Sequence, residues 1–132
     1  MVSRGVSHDL RELPTIIAEE DGEIVGIVTY APAADSAEIT SLDAIHPDRG
    51  IGTDLQDAVI DVALNNGWRR LWLVTTNDNT RALRFFQRRG WDLVAVHRGA
   101  VTSAREIKPE IPERGADEIA IRHELELELP FQ

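Results

Sequence analysis

Two glycines separated by one residue stand where an apolar run ends and a helical pattern begins, in the segment AIHPDRGIGTDLQDAV at residues 44–59. Because glycine has no Cβ, a ligand can approach the backbone closely at Gly50 and Gly52. The first N–H groups of a helix have no acceptor inside the helix, and the helix dipole adds positive charge there. Such a turn is suited to phosphate groups. The donors predicted to face the ligand are the amides of Arg49, Gly50, Ile51, Gly52 and Thr53.

Three phosphate-bearing ligands compete for this turn. A nucleoside triphosphate loop needs lysine and then serine or threonine directly after its last glycine, but Thr53 and Asp54 follow Gly52. A dinucleotide turn needs a third glycine, and that position is Leu55. The diphosphate of coenzyme A requires neither feature, so the residues favour it.

The helix that follows Gly52 has one apolar stripe, which predicts that a single face is buried. Asn66 and Gly67 predict its end, because glycine accepts the left-handed conformation of a C-cap. The stripe consists of Leu55, Ala58, Val59, Val62 and Ala63.

Three strands are predicted before this helix. TIIAEE and EIVGIVTYA read as a hairpin that turns at Asp21-Gly22, and AEITSLDAI reads as the third strand. After the helix come a strand (RRLWLVTT), a helix (NDNTRALRFFQRRG) with capping candidates at residues 77–79 and a stop at Gly90, and a strand (WDLVAVHRG). A long loop at residues 100–117 precedes a last strand, IAIRHELELEL, whose leucines and glutamates alternate. The order β-β-β-α-β-α-β-loop-β predicts an α/β domain with a mixed sheet.

Composition narrows the function classes. The chain has 132 residues, 42% of them hydrophobic, so we expect one packed domain. A net charge of −9 argues against nucleic-acid binding, although six arginines and a single acid lie between Arg69 and Arg89. The chain contains no cysteine, and its four histidines are scattered, so we expect no metal site. No apolar stretch is long enough to cross a membrane or to act as a signal peptide, and we expect a cytoplasmic protein.

The glycine turn at residues 49–53 and a second motif in the helix predicted after it resemble, in this order, two signatures of the GNAT (GCN5-related) N-acetyltransferase family, and the resemblance covers nearly the whole chain. RGIGT supplies the G-x-G part of the family's acetyl-CoA signature, Q/R-x-x-G-x-G/A. NTRALRFFQRRGW, residues 79–91, is similar to a second signature, N-x-x-A-x-x-[FL]-Y-x-x-x-G-F. The resemblance implies a single GNAT-type domain over 1–132, with the acyl-CoA N-acyltransferase fold (α+β): a mostly antiparallel mixed sheet flanked by helices.

The chain departs from the family pattern in three places. The Q/R position falls on Pro47, which implies a shorter loop before Gly50. The hairpin begins near Thr15, so the family's first strand and part of its first helices are missing. An uncovered sheet edge invites pairing with another chain, and we therefore expect a homodimer. The family's tyrosine falls on Phe86.

The resemblance also implies site residues and a reaction. Relatives transfer acetyl from acetyl-CoA to an amine by direct attack, and the strand that pairs with the pantetheine arm maps to Leu42, Asp43, Ala44 and Ile45. Glu38 lies where many relatives place a carboxylate base, and Asp43 is the other candidate. Amides of Ala44 or Ile45 are the expected donors to the oxyanion.

The general acid is the open question. Relatives protonate the departing thiolate with tyrosine, but Phe86 has no proton to give. We expect water or a hydroxyl such as Thr75 or Thr76 to replace it, at a cost in rate. Asn79 is expected either to cap its helix or to bond the cofactor arm, and Arg84 either to face solvent or to contact the nucleotide's phosphates.

Two functions from different classes remain open. The first is an acetyl-CoA-dependent N-acetyltransferase acting on a small metabolite amine, with a protein amine as second choice. The alternative is a non-catalytic acyl-CoA-binding or sensing module, which Phe86 favours. Acetyl-CoA, the amine and a second copy of the chain are therefore the expected partners, with no nucleic acid, membrane or metal.

Overall fold

The computed structural model of the chain describes residues 2–3, 6–7, 12–46 and 49–131. Contacts divide the chain into a first unit, residues 9–72 with 130–132, and a second unit, residues 1–8 with 73–129. The expectation of one domain stays a prediction. The departures at Pro47 and near the N-terminus fall largely outside the described residues.

The chain begins with two short strands, β1 (Val2–Ser3) and β2 (Val6–Ser7), which pair with each other. The first unit then contains β3 (Thr15–Glu20), β4 (Glu23–Ala33), β5 (Ser36–Ala44), α1 (Ile51–Asn66) and the start of β6 (Arg70–Thr76). The strands β3, β4 and β5 pair antiparallel in that order. Asp21 and Gly22 both have positive φ, 51° and 82°, which confirms the predicted tight hairpin.

Helix α1 covers the apolar face of this three-stranded part. Leu55, Val59 and Ala63, three members of the predicted stripe, are buried. Gly67 has φ 68°, and its N–H donates to carbonyls of the last turn, which confirms the predicted C-cap. The helix begins at Ile51, so Gly52 lies inside its first turn rather than before it.

The second unit contains the rest of β6, α2 (Thr80–Arg88), β7 (Asp92–His97), α3 (Ala100–Ala104), a 3₁₀ turn (Ala116–Glu118) and β8 (Glu124–Pro130), which ends in the first unit. Its strands follow the order β6-β8-β7, and β7 pairs antiparallel with β8. The core here includes Leu73, Trp91 and Leu127.

Two predictions about this unit were wrong in detail. The segment predicted as loop contains α3, because Val101 and Ala104 are buried and Gly99 starts a turn with φ 71°. The last strand begins at Glu124 rather than near Ile119, because residues 119–123 bond to other segments.

Candidate functional site

The backbone N–H and C=O groups at the end of β5 point alternately toward β4 and away from it. The N–H of Ile45 donates to the carbonyl of Val25 at 2.9 Å. Paired and unpaired residues alternate in an antiparallel ladder, so Asp43, two residues earlier, also faces β4. The backbone groups of Leu42 and Ala44 therefore point away from β4. The amide of Ala44, and not that of Ile45, is therefore directed away from β4, toward the side of the sheet on which β6 follows.

The start of α1 is a turn built from backbone. Gly50 is its N-cap, with φ 81° and ψ 0° and no side-chain cap. The first intrahelical bond runs from the N–H of Asp54 to the carbonyl of Gly50, 3.0 Å. The amides of Ile51 and Gly52 precede that bond, as the sequence predicted. A Cβ placed on Gly50 would have no heavy atom of the described residues within 4 Å, so these residues leave the space beside the turn open.

The Arg49 side chain lies beside this turn. Its Nη2 donates to Glu20 Oε1 at 3.2 Å, and both side chains are about half exposed. Exposed pairs of this kind are weak and are screened by salt. The guanidinium therefore adds a positive charge near the turn without being fixed by burial.

Gly26 of β4 holds α1 close to the sheet. A Cβ at this residue would lie 2.7 Å from Ile51 Cγ2, 3.0 Å from Leu55 Cδ1 and 3.1 Å from the carbonyl of Asp43. No side chain fits there without moving the helix. The first turn of α1 is therefore placed directly against the end of β5.

The two candidate bases on β5 differ in environment. Glu38 is buried, with 3% of its surface exposed, whereas Asp43 is exposed to solvent. Glu38 is therefore not a solvent-facing residue of the strand. A polar cluster lies further along the same strands: the hydroxyl of Thr29 on β4 lies 2.7 Å from that of Thr40 and 2.6 Å from that of Ser41.

A register shift explains this polar cluster. Thr29 pairs with Ser41 and Tyr30 pairs with Ile39, so Thr40 is an extra residue in β5. A bulge of this kind turns two successive side chains toward the same partner residue. The bulge brings the hydroxyls of Thr29, Thr40 and Ser41 together. It also shifts the alternation of side chains along β5, so that Glu38 lies on the same face of the sheet as these hydroxyls.

Phe86, at the position of the family's tyrosine, is part of an aromatic core. It is buried and makes edge-on contacts with Phe85 and Trp91, with ring centroids 4.9 and 5.1 Å apart. Edge-to-face pairs at these distances are favourable. The side chain packs as a core residue and offers no proton.

Asn79 is the N-cap of α2. Its Oδ1 accepts from the N–H of Ala82 at 3.2 Å, and its Nδ2 donates to Thr75 Oγ1 at 3.1 Å. The capping alternative for this residue is therefore observed. Arg84 is exposed, and among the described residues it has no hydrogen-bond or ion-pair partner.

Asn77 and Asp78, which the sequence offered as further caps, bond instead to the segment before β8. Asn77 Nδ2 donates to the carbonyl of Ala120, and its Oδ1 accepts from the amides of Arg122 and His123, each at 2.9 Å. Asp78 accepts from the Thr76 hydroxyl at 2.5 Å and from the Ala116 amide at 3.1 Å. The short polar run therefore fixes a distant loop.

Arg105 lies in the same segment and bonds to three of its backbone carbonyls. Its Nε donates to the carbonyl of Ile111 at 3.2 Å, and its Nη2 donates to those of Pro112 and Ile121 at 2.7 and 2.6 Å. Gly115 packs so closely on the Asp78 carboxylate that a Cβ would collide with it. The sequence did not predict that Asn77 and Asp78 hold this segment, because their partners lie about forty residues away. The one signal in the sequence is the polar run at residues 77–79, which directly follows an apolar strand.

His97 and His123, two of the four scattered histidines, bond to different partners. His97 Nε2 lies 3.0 Å from Glu126 Oε1, whereas His123 Nδ1 accepts from the N–H of Gly99 at 2.9 Å. Within the described residues no group of three or more potential metal ligands occurs. In that same part of the chain, no helix has the length and apolar character needed to span a membrane.

Comparison with known proteins identifies the family. The model of the acetyltransferase (GNAT) family matches residues 4–91. Two Bacillus subtilis (strain 168) proteins, YdhI and YxbD, are 44% and 42% identical to this chain over 106 residues, or 80% of it. The chain spans only about two thirds of their length, 66% and 67%.

Solved structures share the fold. An IAA acetyltransferase from Bacillus cereus ATCC 14579 has a TM-score of 0.78 at 19% identity, with 89% of this chain and 77% of that chain covered. A GNAT family acetyltransferase from Elizabethkingia anophelis with acetyl-CoA bound has a TM-score of 0.78 at 22% identity, with coverage of 92% and 78%. A Bacillus subtilis acetyltransferase in complex with CoA has a TM-score of 0.79 at 17% identity, with coverage of 93% and 80%. The predicted mixed α/β fold is confirmed, and the chain belongs to the GNAT acetyltransferase family.

Proposed function

We propose that this chain is an acetyl-CoA-dependent N-acetyltransferase that moves an acetyl group to a primary amine by direct attack. The observation that carries the proposal is the junction of β5 and α1. Outward backbone groups at Leu42 and Ala44 lead directly into an open turn with N–H donors at Ile51 and Gly52. This arrangement suits an extended arm that ends in a diphosphate.

The residues present fit coenzyme A. Hydrogen bonds from backbone amides to charged oxygens are strong, at roughly 1.5–3 kcal/mol each. Arg49 adds charge, and the amide of Thr53 lies in the same first turn of α1. Acetyl-CoA supplies the activated acyl group as a thioester. In this proposal Ile45 borders the arm of the cofactor, whereas Asn79 serves as the cap of α2.

Glu38 is the proposed base, and Asp43 is the secondary one. A primary amine of the lysine type has a pKa of about 10.4, so it arrives protonated and must lose a proton before attack. The buried Glu38 carboxylate accepts that proton, directly or through water, next to the hydroxyls of Thr29 and Thr40. The outward amide of Ala44 is the proposed donor to the oxyanion.

The departing thiolate receives its proton from water or a hydroxyl. Of the two threonines considered, Thr76 donates its hydroxyl to Asp78, whereas the Thr75 hydroxyl accepts from Asn79 and keeps its own proton to donate. Thr75 is therefore the better candidate. Because Phe86 carries no acid, we expect slow turnover compared with a relative that keeps the tyrosine.

The test of this function is CoA release from acetyl-CoA with a panel of amines, measured by thiol titration. Glu38→Gln is expected to lower kcat by at least about a hundredfold, within the usual range for general acid–base catalysis. The matched control on the same strand is Asp43→Asn, expected to lose less than about fivefold. Both variants should keep CoA affinity in calorimetry. Equal losses in the two variants would assign the base elsewhere.

Phe86→Tyr tests the missing acid. The added hydroxyl is expected to raise kcat about tenfold without changing the dissociation constant of CoA. Phe85→Tyr, the adjacent aromatic residue on α2, is the control and should change neither. An unchanged kcat in Phe86→Tyr with a good acceptor would show that this ring does not face the thiolate.

A small metabolite amine is the proposed acceptor, and a protein amine is second. In the family that this chain resembles, the segment before the last strand shapes the acceptor pocket. Here the side chains of Arg105, Asn77 and Asp78 bond that segment, residues 105–123, and a fixed pocket wall supports a small acceptor. We propose further that the chain acts as a homodimer in the cytoplasm.

The second candidate function is a non-catalytic acyl-CoA-binding module. Phe86 favours it, since the one side chain that would serve as acid is absent. Such a module binds CoA but releases no thiol with any amine, so the same titration separates the two functions.

A further inference from the structure

Strand β7 ends the strand order of the second unit. It pairs with β8 on one side, and within the described residues no strand pairs with its other side. The outer N–H and C=O groups of such a strand are open to a further strand. A strand of another chain can therefore pair with this edge.

The exposed edge is apolar. Leu93, Val94 and Val96 have 47%, 45% and 54% of their surfaces exposed. Protein edges are commonly protected by lysine, proline or a bulge. Residues 92–97 contain neither lysine nor proline, and the bulge at Val94 is formed against β8, where Leu93 and Ala95 pair with Leu127 and Glu126.

The edge of the first unit is different. Strand β3 follows Pro14 and ends with Glu19 and Glu20, so charge and proline flank it. Its exposed apolar residue, Ile17, has 44% of its surface exposed. Of the two edges, β7 is the less protected.

Charge makes β7 complementary to itself. Asp92 at its start and Arg98 just after its end are both exposed, and neither has an ion-pair or hydrogen-bond partner among the described residues. In an antiparallel pair of two β7 strands centred on Ala95, Asp92 of each copy lies opposite Arg98 of the other. Val94 then lies opposite Val96. Opposite charges and β-branched residues are favourable cross-strand pairs.

We propose that β7 pairs antiparallel with β7 of a second copy of this chain, around a two-fold axis at Ala95. This inference rests on the homodimer part of the proposed function and names its surface. A two-fold contact uses the same patch on both copies, and each favourable pair occurs twice. A different protein would need to supply the matching acid and base by coincidence, whereas the second copy carries them already.

Sedimentation velocity of the 132-residue chain at micromolar concentration is the first test, and a dimer is expected. Val94→Lys places a lysine at the edge of each copy and should raise the dimer dissociation constant at least tenfold. Ile17→Lys is the matched control on β3 and should leave it unchanged. Because both residues are exposed, neither change should alter the circular dichroism spectrum.

Charge exchange is the second test, and it needs no change in the apolar residues. Asp92→Arg and Arg98→Asp should each weaken the dimer about tenfold, since like charges then face each other twice. The double variant should restore the wild-type dissociation constant. A monomeric wild type overturns both the dimer and its surface, with no bearing on acetyl transfer. A dimer weakened only by Ile17→Lys overturns the β7 surface and leaves the homodimer in place.

Discussion

The turn at the start of α1 and the segment 105–123 are both irregular, yet they are held in opposite ways. The turn is shaped by backbone, with Gly50 at positive φ and amides directed outward. The segment is shaped by side chains of Asn77, Asp78 and Arg105, which bond its amides and carbonyls. The difference teaches that the turn has N–H donors ahead of its first intrahelical bond, which the proposed function assigns to the ligand, whereas the segment uses its polar groups internally. Variants in the two places should therefore have different effects.

Asn77→Ala should have the largest effect. It removes three hydrogen bonds to the backbone of the segment before β8, each worth about 1 kcal/mol, so the free energy of unfolding should fall by about 3 kcal/mol. The KM for the amine should rise, while the dissociation constant of CoA stays within twofold. Chemical denaturation and calorimetry measure these quantities.

The control for Asn77→Ala is Asn66→Ala. The Asn66 side chain is exposed and donates to one carbonyl, that of Val62 at 2.8 Å, so its loss should cost below about 1 kcal/mol. A large loss of CoA affinity in Asn77→Ala would show that the two regions are not independent.

Gly50→Ala should have an intermediate effect on stability. In contrast to Asn77→Ala, it should change the binding of CoA and not that of the amine. A non-glycine residue at positive φ costs about 1 kcal/mol, and the new methyl group occupies the open side of the turn. CoA affinity should fall about fivefold, with the KM for the amine unchanged. Isothermal calorimetry measures the first quantity and initial rates the second.

Gly67→Ala, at the other end of α1, is matched to Gly50→Ala. Gly67 also has positive φ and open space around it, so the loss of stability should be the same. Its CoA affinity should equal that of the wild type. If both variants lost CoA affinity alike, the loss would reflect helix stability and not contact with the ligand.

Arg49→Ala should have the smallest effect. Its pair with Glu20 is exposed, so stability should change by less than about 0.5 kcal/mol. CoA affinity should fall two- to threefold in low salt, and the difference should shrink in 0.5 M salt, about the range where screening removes such a contribution. A tenfold loss would mean that a side chain, rather than backbone, dominates the binding turn.

Short-range signals predicted the fold and the local structure of its turns and helix ends. The hairpin at Asp21-Gly22, the C-cap at Gly67 and the capping residue Asn79 each depend on neighbouring residues, and each was found. The bulge at Thr40 and the bonds of Asn77 and Asp78 depend on partners in other strands and loops. Residue patterns do not record such partners, so neither the polar cluster beside the bulge nor the hydrogen bonds that hold residues 105–123 could be predicted from the sequence.

Gly26 has a consequence for how the chain receives its ligand. Since no atom fits between this residue and the first turn of α1, that end of the helix has no room to move inward on binding. If the proposed function holds, this turn is already formed before the ligand arrives, and little ordering entropy is lost on binding. Association should then follow single-step kinetics whose rate rises linearly with ligand concentration.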